Sequence, residues 1–257
     1  MGKSLGSVAA PAETLGSAER FDEPPGRVDP HRSTLLWHCR SRMTGRPRAR
    51  RHGALGRGTV GLAMRSPPPV FGDIFELLVT LRDIDPPIWR KLCVPAQAPL
   101  GVLHEALQTA FGWKNCHLHQ FLAGDIRFGM SDVDDEMFSV DERAAPLGAI
   151  ARAGSELVYE YDFGDSWEHS IVVERVTSRG DATLRCTGGE RACPPEDCGG
   201  AHGYAHMLQV LANPRDEEHA EMKQWVPRGF DPEKFELAAV NKKLATLSKR
   251  LARRGGR

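Results

Sequence analysis

Three histidines lie where they can do metal chemistry. His117 and His119 are two residues apart in a segment that reads as a strand, so their side chains share a face, and His169 belongs to a second strand. Imidazole is the commonest metal ligand, and three protein ligands with an open fourth position are what a metal-activated water needs. Asp162, Asp165 or Cys193 offers a further ligand. The enzymatic reading is therefore a metal-dependent hydrolase holding zinc. The simpler reading has His117 or His119 hydrogen-bonding acidic neighbours, with His169 a satisfied core histidine. We prefer the simpler one, which expects no cofactor and leaves zinc as the alternative.

Other constellations carry less. Cys193, Cys198, His202 and His206 follow the zinc-ligand order, but only three residues separate Cys198 from His202, where a finger uses about 12–15. On a helix at about 100° per residue, Tyr204, Leu208 and Leu211 form one stripe, and His202 and His206 fall roughly opposite it. These histidines are expected in solvent. Gly203 stands where the zincin spacing needs Glu, so that motif lacks its general base. Asp162, Asp165, Ser166 and His169 carry the letters of a hydrolytic triad, but one hairpin holds all four, and His169 points to the face opposite Asp162, so they do not converge.

That hairpin has a derivable register. Leu157, Tyr159, Tyr161 and Phe163 share one face, and Trp167, His169, Ile171 and Val173 share the other strand's matching face. A three-residue loop, Gly164–Asp165–Ser166, keeps the faces together. It sets Phe163 opposite Trp167 and Tyr161 opposite His169, with Gly164 as the positive-φ residue. The loop Pro194-Pro195-Glu196-Asp197, followed by Gly199-Gly200, reads equally as a pocket rim and as a rigid lead into a helix. The candidate pocket is thus His117, His119, Tyr161, Asp162, Asp165, Trp167, His169, Glu196 and Asp197, with Cys193 and Cys198 as further metal candidates.

The elements that must position these residues follow from periodicity. Alternation over Phe75, Leu77, Val79 and Leu81 predicts a strand, and Ile88–Val94 a second beyond the turn at Asp85-Pro86-Pro87. Leu100, Leu103, Leu107 and Phe111 predict a helix stopped by Gly112. A hairpin is expected from His117 to Phe128 across Ala123-Gly124, and an acidic loop over 131–142. Helices are expected around Tyr204–Leu211, over 216–225, and after an Asp231-Pro232 cap. Leu237, Val240, Leu244, Leu247 and Leu251 make a seam that docks on the parent domain in its first half. Beyond Leu247 the helix is basic and expected in solvent. Strands first and helices last give an α+β domain at 72–250, a small mainly antiparallel sheet with helices on one side, followed by a basic tail at 251–257.

Charge and composition bound the function. The chain has 34 Lys+Arg and 34 Asp+Glu, but residues 1–65 hold 12 of the bases and 5 of the acids. The body is acidic and both ends are basic, so nucleic acid is expected only weakly and only at the termini. Residues 1–71, rich in Gly, Ala, Pro and Arg without periodicity, read as a disordered basic arm. Met64, just before the ordered pattern, offers an alternative start. No apolar run approaches the roughly 18 residues of a spanning helix, and no signal peptide is evident, so a cytoplasmic protein without membrane contact is expected.

Several motifs recur in order: Pro86-Pro87-Ile88-Trp89-Arg90, Gly112-Trp113 with Asn115, His117-Leu118-His119-Gln120-Phe121, and Tyr159 to His169. Arg191 to Gly200 with Gly203-Tyr204, then Phe230-Asp231-Pro232 and Val240-Asn241, close the set. This set resembles the Ri-plasmid ORF-three-like family, often labelled transposon-passenger TnpR proteins, over roughly residues 72–250. The resemblance implies a compact α+β domain and no established activity. The resolvase suggested by the label finds no support in the residues. Ser4, Ser7 and Ser17 lie in the arm, the three Tyr lie on core faces, and the body repels phosphate. The reading is a non-enzymatic binding or interaction module for a protein or small-molecule partner, with the hydrolase as alternative.

Overall fold

The computed structural model describes residues 72–130, 140–178 and 183–255. The expected disordered arm and most of the acidic loop lie outside the described residues. Two hydrophobic periods organise the rest. In β1 (Ile74–Leu81), Phe75, Leu77, Val79 and Leu81 are buried while Glu76, Leu78 and Thr80 are only half-buried, as a strand with one wet face requires. β2 (Trp89–Pro95) pairs with it antiparallel. α1 (Leu100–Phe111) buries Leu100, Leu103, Leu107 and Phe111 and ends at Gly112 in the left-handed region, as expected.

β3 (His119–Ala123), β4 (Ile126–Gly129), β6 (Glu156–Tyr161) and β7 (Trp167–Thr177) realise the other expected strands. Two strands were not anticipated, β5 (Val140–Asp141) and β8 (Arg185–Glu190). β5 is two residues long. β8 carries Cys-Thr-Gly-Gly in its middle, where Thr187 is the one β-branched residue and the two glycines are types depleted in strands. The sheet has eight strands in the order β5-β4-β3-β6-β7-β1-β2-β8, antiparallel except for β4 with β5. Its outer face is laced by Arg82 with Glu156 and Glu168, Lys91 with Glu174, and Arg175 with Glu76. The helices cover the other face: α1 packs on β2 and against α5 (Leu237–Gly255), which packs on β8. Short α2 (Leu147–Ile150), α3 (Gly200–Ala212) and α4 (His219–Trp225) complete the set.

Two polar devices hold this layer. Arg90 is buried and donates to the carbonyls of Ala110, Trp89, Glu190 and Arg191, at 3.1, 2.7, 2.7 and 2.7 Å. Phe111 and Phe235 lie against its guanidinium at 5.1 and 4.3 Å. Asn241 on α5 accepts from the Cys186 amide and donates to its carbonyl, both at 2.9 Å, so a side-chain amide covers the edge of β8 as another strand would.

Two helix expectations need correction. Asp231 does not cap α5: its carboxylate accepts from the Glu233 amide in a local turn, and the helix starts six residues later at Leu237. The basic residues at the end of α5 are exposed as expected, but the helix does not project free: Arg250 and Arg254 pair with Glu105 on α1, and Leu251 packs against the core. No helix among the described residues is long and apolar enough to cross a membrane.

Candidate functional site

Three loops meet at the end of the sheet where β6 turns into β7. They are the segment between α1 and β3, the β6–β7 turn, and the segment between β8 and α3. The first is tied to the second by the Asp162 amide on the Leu118 carbonyl (2.8 Å) and the Cys116 amide on the Tyr161 hydroxyl (3.1 Å). The third is tied to the first by Trp113 Nε1 on the Pro194 carbonyl (3.1 Å) and the Lys114 amide on Glu196 (2.6 Å). Asp165 accepts from the Gly199 amide at 3.1 Å, joining the second to the third. That junction is tight: a Cβ on Gly200 would sit 2.5 Å from the Asp165 carbonyl oxygen, so only glycine fits at the head of α3.

His117 stands at the meeting point. Its Nε2 lies 3.2 Å from Asp197 Oδ1, 3.5 Å from Asp162 Oδ2 and 3.7 Å from Glu196 Oε2. None is in line with the ring nitrogen, which is buried without a hydrogen bond. The side chains of Asp162 and Glu196 are 11% and 10% exposed, so their formal charges are largely withdrawn from water. Among the described residues no Lys or Arg forms an ion pair with Asp162, Asp165, Glu196 or Asp197. The Tyr161 hydroxyl donates toward Glu196 at 3.3 Å, and burial holds this phenol well above its ordinary range. Burial likewise raises the Asp165 carboxyl, with Asp162 and Asp197 adding to the rise.

Backbone strain gathers here. Among the described non-glycine residues with positive φ, Asn115 (54°), Asp162 (59°), Ser166 (54°), Arg191 (64°) and Asp197 (58°) all lie in these three loops. Left-handed backbone is cheapest for Asn and Asp and costs other residues roughly 1–2 kcal/mol. Such residues persist where the surroundings over-determine them, which is how functional loops are built.

The same geometry revises the expected hairpin. Tyr161 pairs with Trp167 and Tyr159 with His169, so the loop has five residues, Asp162 to Ser166. The count stays odd and the faces stay matched, but the positive φ falls on Asp162 and Ser166 instead of Gly164. Asp162 takes its turn by accepting the Gly164 amide at 2.9 Å, which lets the chain leave the ladder two residues early.

His117, Tyr161, Asp162, Asp165, Glu196 and Asp197 are therefore brought together, as the candidate pocket expected. His119, Trp167 and His169 are not part of that cluster. β3 starts at His119, so His117 lies before the strand and the two do not share a face. His119 Nε2 bonds Glu142 Oε2 at 2.8 Å inside the core, and its ring stacks on His104 with centroids 3.5 Å apart. His169 is fully buried, with Nδ1 3.1 and 3.2 Å from the carbonyls of Trp167 and Tyr159. Its ring is edge-on to Phe111 and Trp113. The three histidines form no joint ligand set among the described residues. Trp167 is buried beneath, 6.0 Å from Trp113. Burial pushes the Cys198 thiol up to about 12 and raises the Cys193 thiol well above its ordinary range, so both are inert sulfhydryls. His202 and His206 are exposed as expected, His206 pairing with Glu218.

Ligand atoms converge in two sets that share His117: His117 with Asp162 and Asp197, and Cys116 with His117 and Glu196, each within 4.8 Å of one another. Histidine spacing does not mark Cys116, although it directly precedes His117. His104, Gln108 and Glu142 were missed too. His104 falls on the apolar stripe of α1, four residues after Leu100 and three before Leu107, which is the signal that finds it.

The family model for plasmid pRiA4b ORF-3-like proteins matches residues 73–239, which takes in all three loops. The chain belongs to that family. It is similar to the uncharacterized protein y4hQ of Sinorhizobium fredii (strain NBRC 101917 / NGR234), 38% identical over 191 residues that cover 72% of this chain and 97% of the relative. It is also similar to a crystal structure of a protein of unknown function, MM3350 from Methanosarcina mazei Go1. That match has a TM-score of 0.61 and 33% identity, and covers 66% of this chain and 97% of that one. None of these descriptions names an activity. In this ORF-3-like chain, Trp113 on the Pro194 carbonyl, the Cys116 amide on Tyr161, Tyr161 on Glu196 and the Asp162 amide on the Leu118 carbonyl tie together the loops that surround His117.

Proposed function

We propose that this chain is a binding module whose ligand is a divalent cation, held by His117, Asp162 and Asp197 with Glu196 beside them. The observation that carries the reading is the His117 Nε2 atom, buried without a hydrogen bond while three carboxylates from two loops face it at 3.2–3.7 Å. Three formal negative charges against one imidazole leave an excess that a cation neutralises. A carboxylate-rich set with a single imidazole suits manganese and similar hard-to-borderline ions. The reading asks for coordination only, in keeping with a non-enzymatic module.

The test is isothermal titration calorimetry of Mn²⁺ into the chelator-treated full chain. One equivalent is expected to bind and to raise the melting temperature. The Asp162→Asn/Asp197→Asn double variant is expected to do neither. Wild-type protein that gives no heat and no thermal shift would sink the reading.

A further inference from the structure

The two ligand sets that share His117 differ in chemical softness. One adds only carboxylates, Asp162 and Asp197. The other adds the Cys116 sulfur and Glu196. Cys116 is on the exposed side of its loop, so a metal reaches the sulfur without opening the core. The thiol is also placed against the rest of its set. Its sulfur lies 3.8 Å from the Tyr161 hydroxyl, which donates its own proton toward Glu196, and its amide donates to the same hydroxyl at 3.1 Å. His117 follows it directly in the chain, and the left-handed turn at Asn115 delivers both residues to the cluster.

We infer that Cys116 decides which metal the site takes: Zn²⁺ is held by Cys116, His117 and Glu196, and a hard cation such as Mn²⁺ by His117, Asp162 and Asp197. This rests on the cation-binding reading above and adds its selectivity. Thiolate favours zinc strongly over manganese, whereas carboxylates discriminate little. On zinc binding the Cys116 S–H bond breaks, the sulfur lone pair goes to the metal and the proton leaves to solvent. Because both sets need His117, the two metals compete for one place.

The experiment titrates Zn²⁺ and Mn²⁺ separately into full-length wild type, Cys116→Ser and Asp162→Asn/Asp197→Asn, under a non-thiol reductant, with circular dichroism confirming the fold of each. Co²⁺ serves as a spectroscopic stand-in for zinc. Removing even an outer partner of a metal ligand lowers affinity about 10–100-fold, so loss of the ligand itself should weaken zinc by at least about tenfold. Cys116→Ser is expected to lose that much zinc affinity and the thiolate-to-cobalt absorption while keeping manganese binding. The carboxylate double variant is expected to lose manganese and keep zinc. Zinc affinity and the cobalt band unchanged in Cys116→Ser, with both metals bound by the wild type, would overturn the selectivity and leave the cation site standing. Wild type that binds neither metal would overturn both.

Discussion

Two clusters of the same residue types lie one layer apart. Beneath the loops, His104, His119, Glu142, Tyr159 and His169 are all buried to within a few per cent of full exclusion from solvent. At the loop ends, His117 meets Asp162, Glu196 and Asp197 nearer the surface, with side chains 10–31% exposed. In the inner cluster the one carboxylate is matched by one imidazole; His119 Nδ1 and His169 Nε2 lack hydrogen bonds, and the other polar groups bond to one another, to neighbouring side chains or to backbone carbonyls. In the outer cluster three carboxylates face one imidazole. Histidine and acid in proximity thus mean different things according to whether the formal charges balance inside the protein. A closed set is structure, and an open set needs a ligand.

The largest effect that can break this contrast is at His119. Replacing it with Ala removes the hydrogen bond to Glu142, whose side chain is 4% exposed, and strands a carboxylate in the core. Breaking a buried pair from one side costs about 3–5 kcal/mol. Urea unfolding of His119→Ala should show a loss of that order, the same with and without chelator. A chelator-dependent loss would move His119 into the ligand class and erase the distinction.

The next effect is that of acid. Burial pushes His169 down to about 3, against the raising pull of the Tyr159 and Trp167 carbonyls and with some help from Arg82. Burial and the neighbouring His119 push His104 to about 3, against the raising pull of its hydrogen bond to the Asn115 Oδ1. An unfolded histidine titrates near 6.5. Between about pH 6 and 4 the unfolded chain therefore binds a proton at each position and the folded chain does not, so stability rises with pH across this window. Each group contributes a slope of about 1.4 kcal/mol per pH unit. Replacing His169 with Phe should flatten the curve of unfolding free energy against pH by about that slope. An unchanged slope would show that the imidazole titrates normally in the fold.

How much of this was legible in the sequence depends on which forces decide each element. Alternation in β1 and in Tyr159–Tyr161 against Trp167–Ile171 is enforced by one buried face, so strands and faces could be read. The length of the β6–β7 loop could not, because odd loops of three and five residues match the faces equally and the Asp162 carboxylate, bonding Gly164, chooses between them. β8 escaped because its pairing rests on neighbours distant in sequence: Asn241 bonds its edge and Arg90 bonds the carbonyl at its end. The candidate residues His117, Asp162, Glu196 and Asp197 were all singled out. Their grouping apart from His119 and His169 was not, since β3 begins two residues later than the pattern suggests. Past His119 one further in-register bond remains, from the Asp162 amide to the Leu118 carbonyl.

A smaller effect sharpens the outer half of the contrast. Asp162→Asn keeps the Oδ1 acceptor for the Gly164 amide and suits the left-handed backbone, while it removes one formal charge from a crowded set. In metal-free buffer this variant should be more stable than wild type by about 0.5 kcal/mol, the scale of partly exposed charge pairs. With manganese present the order should reverse, because the ion stabilises only what it binds. Paired melting curves with and without Mn²⁺ check both signs at once. Equal loss of stability in both buffers would make Asp162 a structural residue like Glu142.

The smallest expected effect tests whether the two clusters are linked. The Asn115 amide donates to Gln108 Oε1, which turns the Gln108 amino group toward the Tyr159 hydroxyl. His104, neutral because of its burial, carries one ring proton, and the Asn115 Oδ1 it meets at 2.8 Å can only accept. The proton is therefore on Nε2, and Nδ1 accepts from the Tyr159 hydroxyl at 2.8 Å. This chain of bonds leaves Asn115 clamped at φ 54° immediately before Cys116 and His117. Asn115→Gly loses the side-chain bond, worth about 1 kcal/mol, and gains ease at positive φ of nearly the same size, so the melting temperature should hardly move. If the buried cluster aims the outer one, manganese affinity should nonetheless fall in Asn115→Gly while the carboxylates stay intact. Unchanged affinity would show that the loop holds His117 without help from below, and the two clusters would then be neighbours only.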